Sequence, residues 1–181
     1  TNNLPVETES ALFDLIRLAT ALGVTVIEPA GNGGMQLAAY VNGAGKHVLD
    51  PASLGFRDSG AVLVAAGMSL APHVPSPFVN VGKRIDCYAW GDHVGTCWTD
   101  TTAAMSDYTT SFDGTSSASA IIAGVAAAVQ GMAQAGLKRR LSSWQLRDLL
   151  RSPANGTPAS NPPEVTLGDS GIGVMPDLAK I

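Results

Sequence analysis

Apolar residues at Leu12, Leu15, Ile16, Ala19 and Leu22 recur at intervals of three and four, the spacing of one helix face. Pro5 with Thr8 or Ser10 suits the opening of that helix, and Gly23 its end. The pattern then changes to Val24-Thr25-Val26-Ile27, a short β-branched run that predicts a buried strand. It leads into Pro29-Ala30-Gly31-Asn32-Gly33-Gly34, which requires a tight turn. A loop-rich stretch follows to Gly60, with a turn expected at Asn42-Gly43. Residues 61–66 predict a second buried strand, and Pro72, Pro75 and Pro77 an irregular connection. Residues 85–89 read as a third strand, 94–98 as its hairpin partner across Gly91-Asp92, and 99–113 as polar loop. A long Ala-rich helix is predicted from near Ser116 to about Ala135. An amphipathic helix is predicted over 142–151, capped by Ser142, with Trp144, Leu146, Leu149 and Leu150 as apolar contacts. Residues 152–164, rich in Pro, Ser and Asn, read as a surface loop.

Helices alternating with buried strands predict an α/β fold: part of a mostly parallel, doubly wound sheet with helices on both faces. No repeat or internal boundary is visible, so residues 1–181 are read as one unit. Composition fits this picture. Apolar residues make up 45% and charged residues 14%, which argues against disorder. The 20 glycines and many alanines suit close packing of helices on a sheet. A net charge of −4 gives no reason to expect a nucleic-acid partner or a membrane surface. Lys138-Arg139-Arg140 reads as a solvated basic loop. Residues 114–137 carry no charge, but their Ala, Gly and Ser content with Gln130 and Gln134 predicts a helix buried in a soluble core rather than a membrane span. Thr1 to Pro5 is polar and lacks a following apolar core, so no secretory signal is read there, which implies a cytoplasmic protein or a processed fragment. Cys87 and Cys97 fit no zinc spacing. A disulfide across a hairpin and two buried thiols are both compatible with the sequence.

Two stretches carry candidate chemistry. In Asp113-Gly114-Thr115-Ser116-Ser117-Ala118-Ser119-Ala120, glycine permits a sharp turn and close approach of a substrate. A serine in the first turn of a helix lies near the positive end of the macrodipole and beside N–H groups without intrahelical partners. Those features serve a nucleophile in acyl transfer, although small residues opening a helix are more often simply a cap. Pro29 to Gly34 follows a buried strand, where open α/β sheets bind ligands. Asn32 there can donate its amide to a developing oxyanion, although an Asn-Gly pair is by itself an ordinary turn.

Together the two stretches resemble the subtilisin-like protease (subtilase) family. Gly114 to Ser119 is similar to its nucleophile motif Gly-Thr-Ser-x-Ala-Ser-Pro, and Ala30-Gly31-Asn32 to its oxyanion motif. Residues 61–67, Val81-Gly82 through Asp86-Cys87-Tyr88-Ala89-Trp90-Gly91, residues 144–150 and Gly171-Ile172-Gly173-Val174 resemble further family segments in order, the last followed by a short helix. Ala120 and Trp90 stand where proline is usual, and Asp113 where asparagine is frequent. A carboxylate at Asp113 is expected to bear on pH dependence or extended-substrate preference.

The resemblance implies a serine endopeptidase working through an acyl-enzyme. Ser116 is the nucleophile, Asn32 with the Ser116 N–H is the oxyanion hole, and Pro29, Ala30, Gly31, Gly114 and Thr115 bind substrate. The triad Asp and His of the family precede these motifs. His93, in Gly91-Asp92-His93-Val94-Gly95-Thr96, superficially resembles the His motif, but it falls in the wrong part of the order and is rejected. His47 and His73 are expected to be solvated. This is therefore read as the C-terminal half of a subtilisin-like domain, partnered by an N-terminal segment of the same protease and acting on protein or peptide substrates. Loss of the serine or histidine costs about 10⁶-fold in a subtilisin, a relative by this reading, so the chain alone is expected to be inactive. Calcium is common in the family, yet no carboxylate cluster identifies a site, and no cofactor is expected. Export is expected by resemblance, with Asn155-Gly156-Thr157 a sequon where the source glycosylates. The rival reading is a non-catalytic binding or assembly module on the same fold. An α/β-hydrolase is disfavoured because Gly-x-Ser-x-Gly is absent.

Overall fold

The structure, a computed structural model, describes residues 3–99, 107–160 and 171–181. Its centre is a five-stranded sheet of β1 (Ile27–Pro29), β2 (Val62–Gly67), β3 (Cys87–Trp90), β6 (Gly156–Pro158) and β7 (Val174–Pro176), in the order β1-β2-β3-β7-β6. The first four in that order are parallel, and β6 closes one edge antiparallel to β7. All six residues of β2 are buried, as expected of a strand in a parallel sheet with both faces covered. The mostly parallel α/β architecture expected from the sequence is present.

Among the described residues there are three α-helices: α1 (Ser10–Ala21), α2 (Thr115–Leu137) and α3 (Ser143–Arg151). Helix α2 packs against β1, β2 and β3. It does so on the face presented by Ile27, which lines a 240 Å³ cavity with Ala123, Ala126 and Leu146. Its buried stripe includes Ala118, Ile122, Ala126, Val129 and Ala133, the three-and-four spacing of one helix face. The expectation that this helix is buried holds on that face only. Ala120, Ala123, Gly124, Ala127 and Ala128 are exposed. By length and a mean hydropathy of 1.5, α2 is long and apolar enough to cross a membrane, but it lies against the sheet.

Several expectations need correction. Residues 94–98 do not pair with β3, whose two sides are taken by β2 and β7. Instead β4 (Val94–Cys97) forms a separate antiparallel ribbon with β5 (Tyr108–Phe112), inside the stretch read as polar loop. The alternating exposure of β4 suits a hairpin and not a sheet core. Residues 100–106 of that stretch lie outside the described residues. The stretch 152–164 contains a 3₁₀ turn and β6, with residues 161–164 outside the described set. The segment beyond Val174 ends in a turn, Lys180 N–H to Asp177 C=O, and not in a helix. Strand β1 sits later than the β-branched run because its register opposite Val62 to Val64 carries it through Pro29. Val26 and Ala30 bond to β2, so Pro29 turns its nitrogen to the open side, where proline costs no ladder bond. Both cysteines are free, Cys87 buried and Cys97 exposed.

A buried ionic network lies beneath the sheet elements. Arg84 donates from Nε to Glu7 Oε1 at 2.7 Å, from Nη2 to Glu7 Oε2 at 2.8 Å and from Nη1 to Asp86 Oδ2 at 3.0 Å. Arg147 on α3 reaches Asp86 at 2.8 Å and Asp58 at 2.7 Å. The network ties the turn before α1, the approaches to β2 and β3, and α3 together.

Candidate active site

Strand β1 leads directly into the Pro29–Gly34 segment, and α2 opens at Thr115 after Gly114. The two are joined by Asn32. Its Oδ1 accepts from the Thr115 N–H and from the Thr115 hydroxyl, both at 3.0 Å. One of the free N–H groups of the helix is thereby satisfied. The carboxamide is also oriented: with its oxygen committed to Thr115, the Nδ2 donor keeps its hydrogens for another acceptor. A Cβ on Gly114 would stand 3.0 Å from that Nδ2, and Gly114 has φ +98, so this position favours glycine on both counts. Gly114 N–H is fastened to Gly91 C=O at 2.8 Å, which anchors the serine loop to the end of β3.

Ser116 lies in the first turn of α2 and is exposed, whereas Thr115 and Ser117 on either side are buried. Ser117 Oγ is turned inward to Gly114 C=O at 2.7 Å, and Ser119 Oγ to Thr115 C=O at 2.8 Å. Among the described residues, Ser116 is thus the one serine of this loop whose hydroxyl has no internal partner. The structure brings Gly114, Thr115 and Ser116 together with Asn32. Pro29, Ala30 and Gly31 stand immediately before it, with Ala30 fully buried and its N–H on Val64 C=O.

The loop carrying Asn32 is shaped by a residue that the sequence reading did not single out. Asn80, wholly buried, makes five hydrogen bonds here, four to the loop and one to Asn3 beside it. Oδ1 accepts from Gly33 N–H at 3.1 Å and Met35 N–H at 2.9 Å. Nδ2 donates to Ala30 C=O and Asn3 C=O, both at 2.7 Å. Its backbone N–H donates to Gly31 C=O at 3.0 Å. The one available signal was an asparagine preceding Val81-Gly82, and an isolated Asn in a loop carries little weight.

None of the three histidines hydrogen-bonds Ser116 among the described residues. His93 is exposed and lies 3.4 Å from both Asp92 and Ser69. His47 is exposed beside Ala38 C=O. His73 corrects an expectation: it is half-buried, with Nδ1 2.7 Å from the Tyr88 hydroxyl and its ring near Trp90. Burial pushes the Tyr88 hydroxyl up to about 12. Asp58 is held below the usual carboxylate range. Burial works against this, but the Gly60 N–H and the Arg147 and Arg84 guanidinium groups outweigh it.

No group of three or more His, Cys, Asp or Glu among the described residues could hold a metal. The carboxylates of the ionic network, on Glu7, Asp58 and Asp86, are engaged by Arg84 and Arg147. Calcium does not fit that set, because guanidinium groups already supply the positive charge there.

Comparison with known proteins follows the same lines. A family model described as the subtilase family (Peptidase_S8) matches residues 1–170. No curated protein matches in sequence. Among solved structures, a cold-adapted subtilisin-like serine proteinase is 25% identical with a TM-score of 0.63, covering 96% of this chain and 54% of the other. A protease structure from Pseudoalteromonas arctica is 23% identical with a TM-score of 0.65, covering 95% of this chain and 46% of the other. The patellamide maturation protease PatA is 18% identical with a TM-score of 0.64, covering 93% and 54%. The chain therefore spans about half the length of the solved relatives it matches.

Proposed function

The chain belongs to the subtilase family, and on that premise we propose that it is the C-terminal half of a subtilisin-like endopeptidase domain whose nucleophile is Ser116. The observation that carries this reading is the pair of hydrogen bonds from Thr115 to Asn32. They place a side-chain amide beside the first turn of a helix whose exposed serine has no other hydrogen-bonded duty.

In the proposed reaction Ser116 Oγ attacks the peptide carbonyl and an acyl-enzyme forms as the amine leaves. The oxyanion is held by Asn32 Nδ2–H and the Ser116 N–H, donors fixed before the reaction starts. Pro29, Ala30 and Gly31 form one wall of the primary pocket, and Gly114 and Thr115 support the substrate backbone. A histidine and an aspartate from an upstream segment of the same protease supply the base and its orienting acid. That segment also pairs with β1, so residues 1–181 alone are inactive. Members of the family are commonly secreted, and export belongs to this reading.

The test is fluorophosphonate labelling of the full-length protein. Labelling is expected to map to Ser116 and to vanish in Ser116→Ala. A folded full-length protein that fails to label, or labels equally after Ser116→Ala, removes Ser116 from the mechanism and leaves a binding module on a protease fold.

A further inference from the structure

We infer that Asn80 is a positioning residue for the oxyanion hole, setting the donor direction of Asn32 through the loop that carries it. This rests on the reading of Ser116 and Asn32 just given. Asn80 does not face the reacting atoms. It acts through residues 30–35, to which it makes four hydrogen bonds on both sides of Asn32, with a fifth to Asn3 C=O in the segment packed against them.

The arrangement is specific to an asparagine. Two N–H groups, of Gly33 and Met35, converge on one oxygen, and two carbonyls, of Ala30 and Asn3, converge on one nitrogen. Of the twenty side chains, a short carboxamide supplies an acceptor and a two-hydrogen donor at this reach. Aspartate would set an oxygen against two carbonyls, and a shorter polar group would release one side of the loop. The site is wholly buried, so a lost partner there is not replaced by water without cost.

The loop also needs this brace for a steric reason. Gly31 adopts φ +93, and a Cβ there would come within 1.9 Å of Asn3 O and 2.7 Å of Asn80 Nδ2. Asn3, Gly31 and Asn80 thus close on one another with no room for a side chain. The backbone from Ala30 to Met35 is held on the path that sets Asn32 Oδ1 on Thr115. A shift of well under 1 Å in that path would turn Nδ2 from the position where the oxyanion develops, and catalysis is sensitive on that scale.

The test is a double-mutant cycle in the full-length protease. Variants Asn80→Ala, Asn32→Ala and the pair are assayed for kcat and KM, with active sites titrated by fluorophosphonate so that misfolded protein is not counted. Removing one oxyanion donor in a subtilisin, a relative of this chain, lowers kcat about 10²- to 10³-fold. Asn80→Ala is expected to lower kcat about 10-fold or more with KM little changed, and to lower it less than about 3-fold further when Asn32 is already Ala. Asn80→Ser, a milder change, carries the same test if Asn80→Ala does not fold. Equal fold-losses with and without Asn32 overturn the positioning role alone, since a general loosening adds to any defect. An unchanged kcat in Asn80→Ala overturns it too. An unchanged kcat in Asn32→Ala overturns the oxyanion assignment itself and this inference with it.

Discussion

At the scale of single residues, two side chains four positions apart have opposite fates. Asn32 is exposed and keeps a donor for a ligand, while Glu28 is 2% exposed and has no evident use in catalysis. Glu28 Oε1 accepts from Glu7 N–H at 2.8 Å, but Oε2 is buried without a partner. Burial, and then the neighbouring Glu7 carboxylate, raise its pKa to about 7 against an ordinary 4.5; the Glu7 N–H and then Arg84 oppose them only in part. The sign of the linkage follows. Between those two values the fold holds a proton that the unfolded chain releases, so stability falls as pH rises from 4.5 to about 7 and is level above it. The integrated effect is about 3 kcal/mol. In Glu28→Gln the same shape is kept without a titrating group. The difference in unfolding free energy between the two proteins, measured by urea at several pH values, is expected to change across this window. Parallel curves would show that Glu28 does not titrate there.

At the scale of elements, what the sequence revealed and what it hid divide along one physical line. Local signals were sufficient for α1, α2 and α3, because a three-and-four periodicity belongs to the helix itself. Ser142 was legible as a cap, and the structure completes the box: Ser142 Oγ accepts from Gln145 N–H while Gln145 Oε1 accepts from Ser142 N–H. Ser142→Ala is expected to cost about 1 kcal/mol in chemical denaturation with kcat unchanged. A shift in kcat would mean that α3 communicates with the site. Strand pairing was not legible in the same way. Residues 94–98 read as a strand, but their partner, Tyr108–Phe112, is set by which sheet edges are already occupied. Polar Thr109, Thr110 and Ser111 then disguised the partner as loop. The site divides likewise. Gly114 to Ser119 and Ala30 to Asn32 could be read as motifs, whereas Asn80 belongs to the site only through contacts up to 77 residues away in sequence.

At the scale of the whole molecule, apolar surface and an open strand edge coincide near the start of β1. Among the described residues, the outward edge of β1 has no strand beside it. Helix α1, which precedes β1 in the chain, buries Phe13 and Thr20 but leaves Leu15 and Leu18, and Leu22 at its C-cap, exposed at 61%, 56% and 75%. A 590 Å³ cleft lined by Gly23, Val24, Thr25, Ala127 and Gln130 runs between the start of β1 and the bare alanine face of α2. An open edge beside apolar surface is what association requires, and the solved relatives have about as much chain again. The proposed upstream segment would cover all three features at once. Replacing Leu15 and Leu18 together by Glu should therefore have opposite effects in two settings. In residues 1–181 expressed alone, the change removes exposed apolar surface and is expected to reduce self-association, read by analytical ultracentrifugation. In the full-length protease it buries two carboxylates without partners and is expected to cost several kcal/mol, lowering the unfolding midpoint. If both proteins respond in the same direction, or the full-length protein does not respond, this face of α1 is ordinary surface and the upstream segment docks elsewhere.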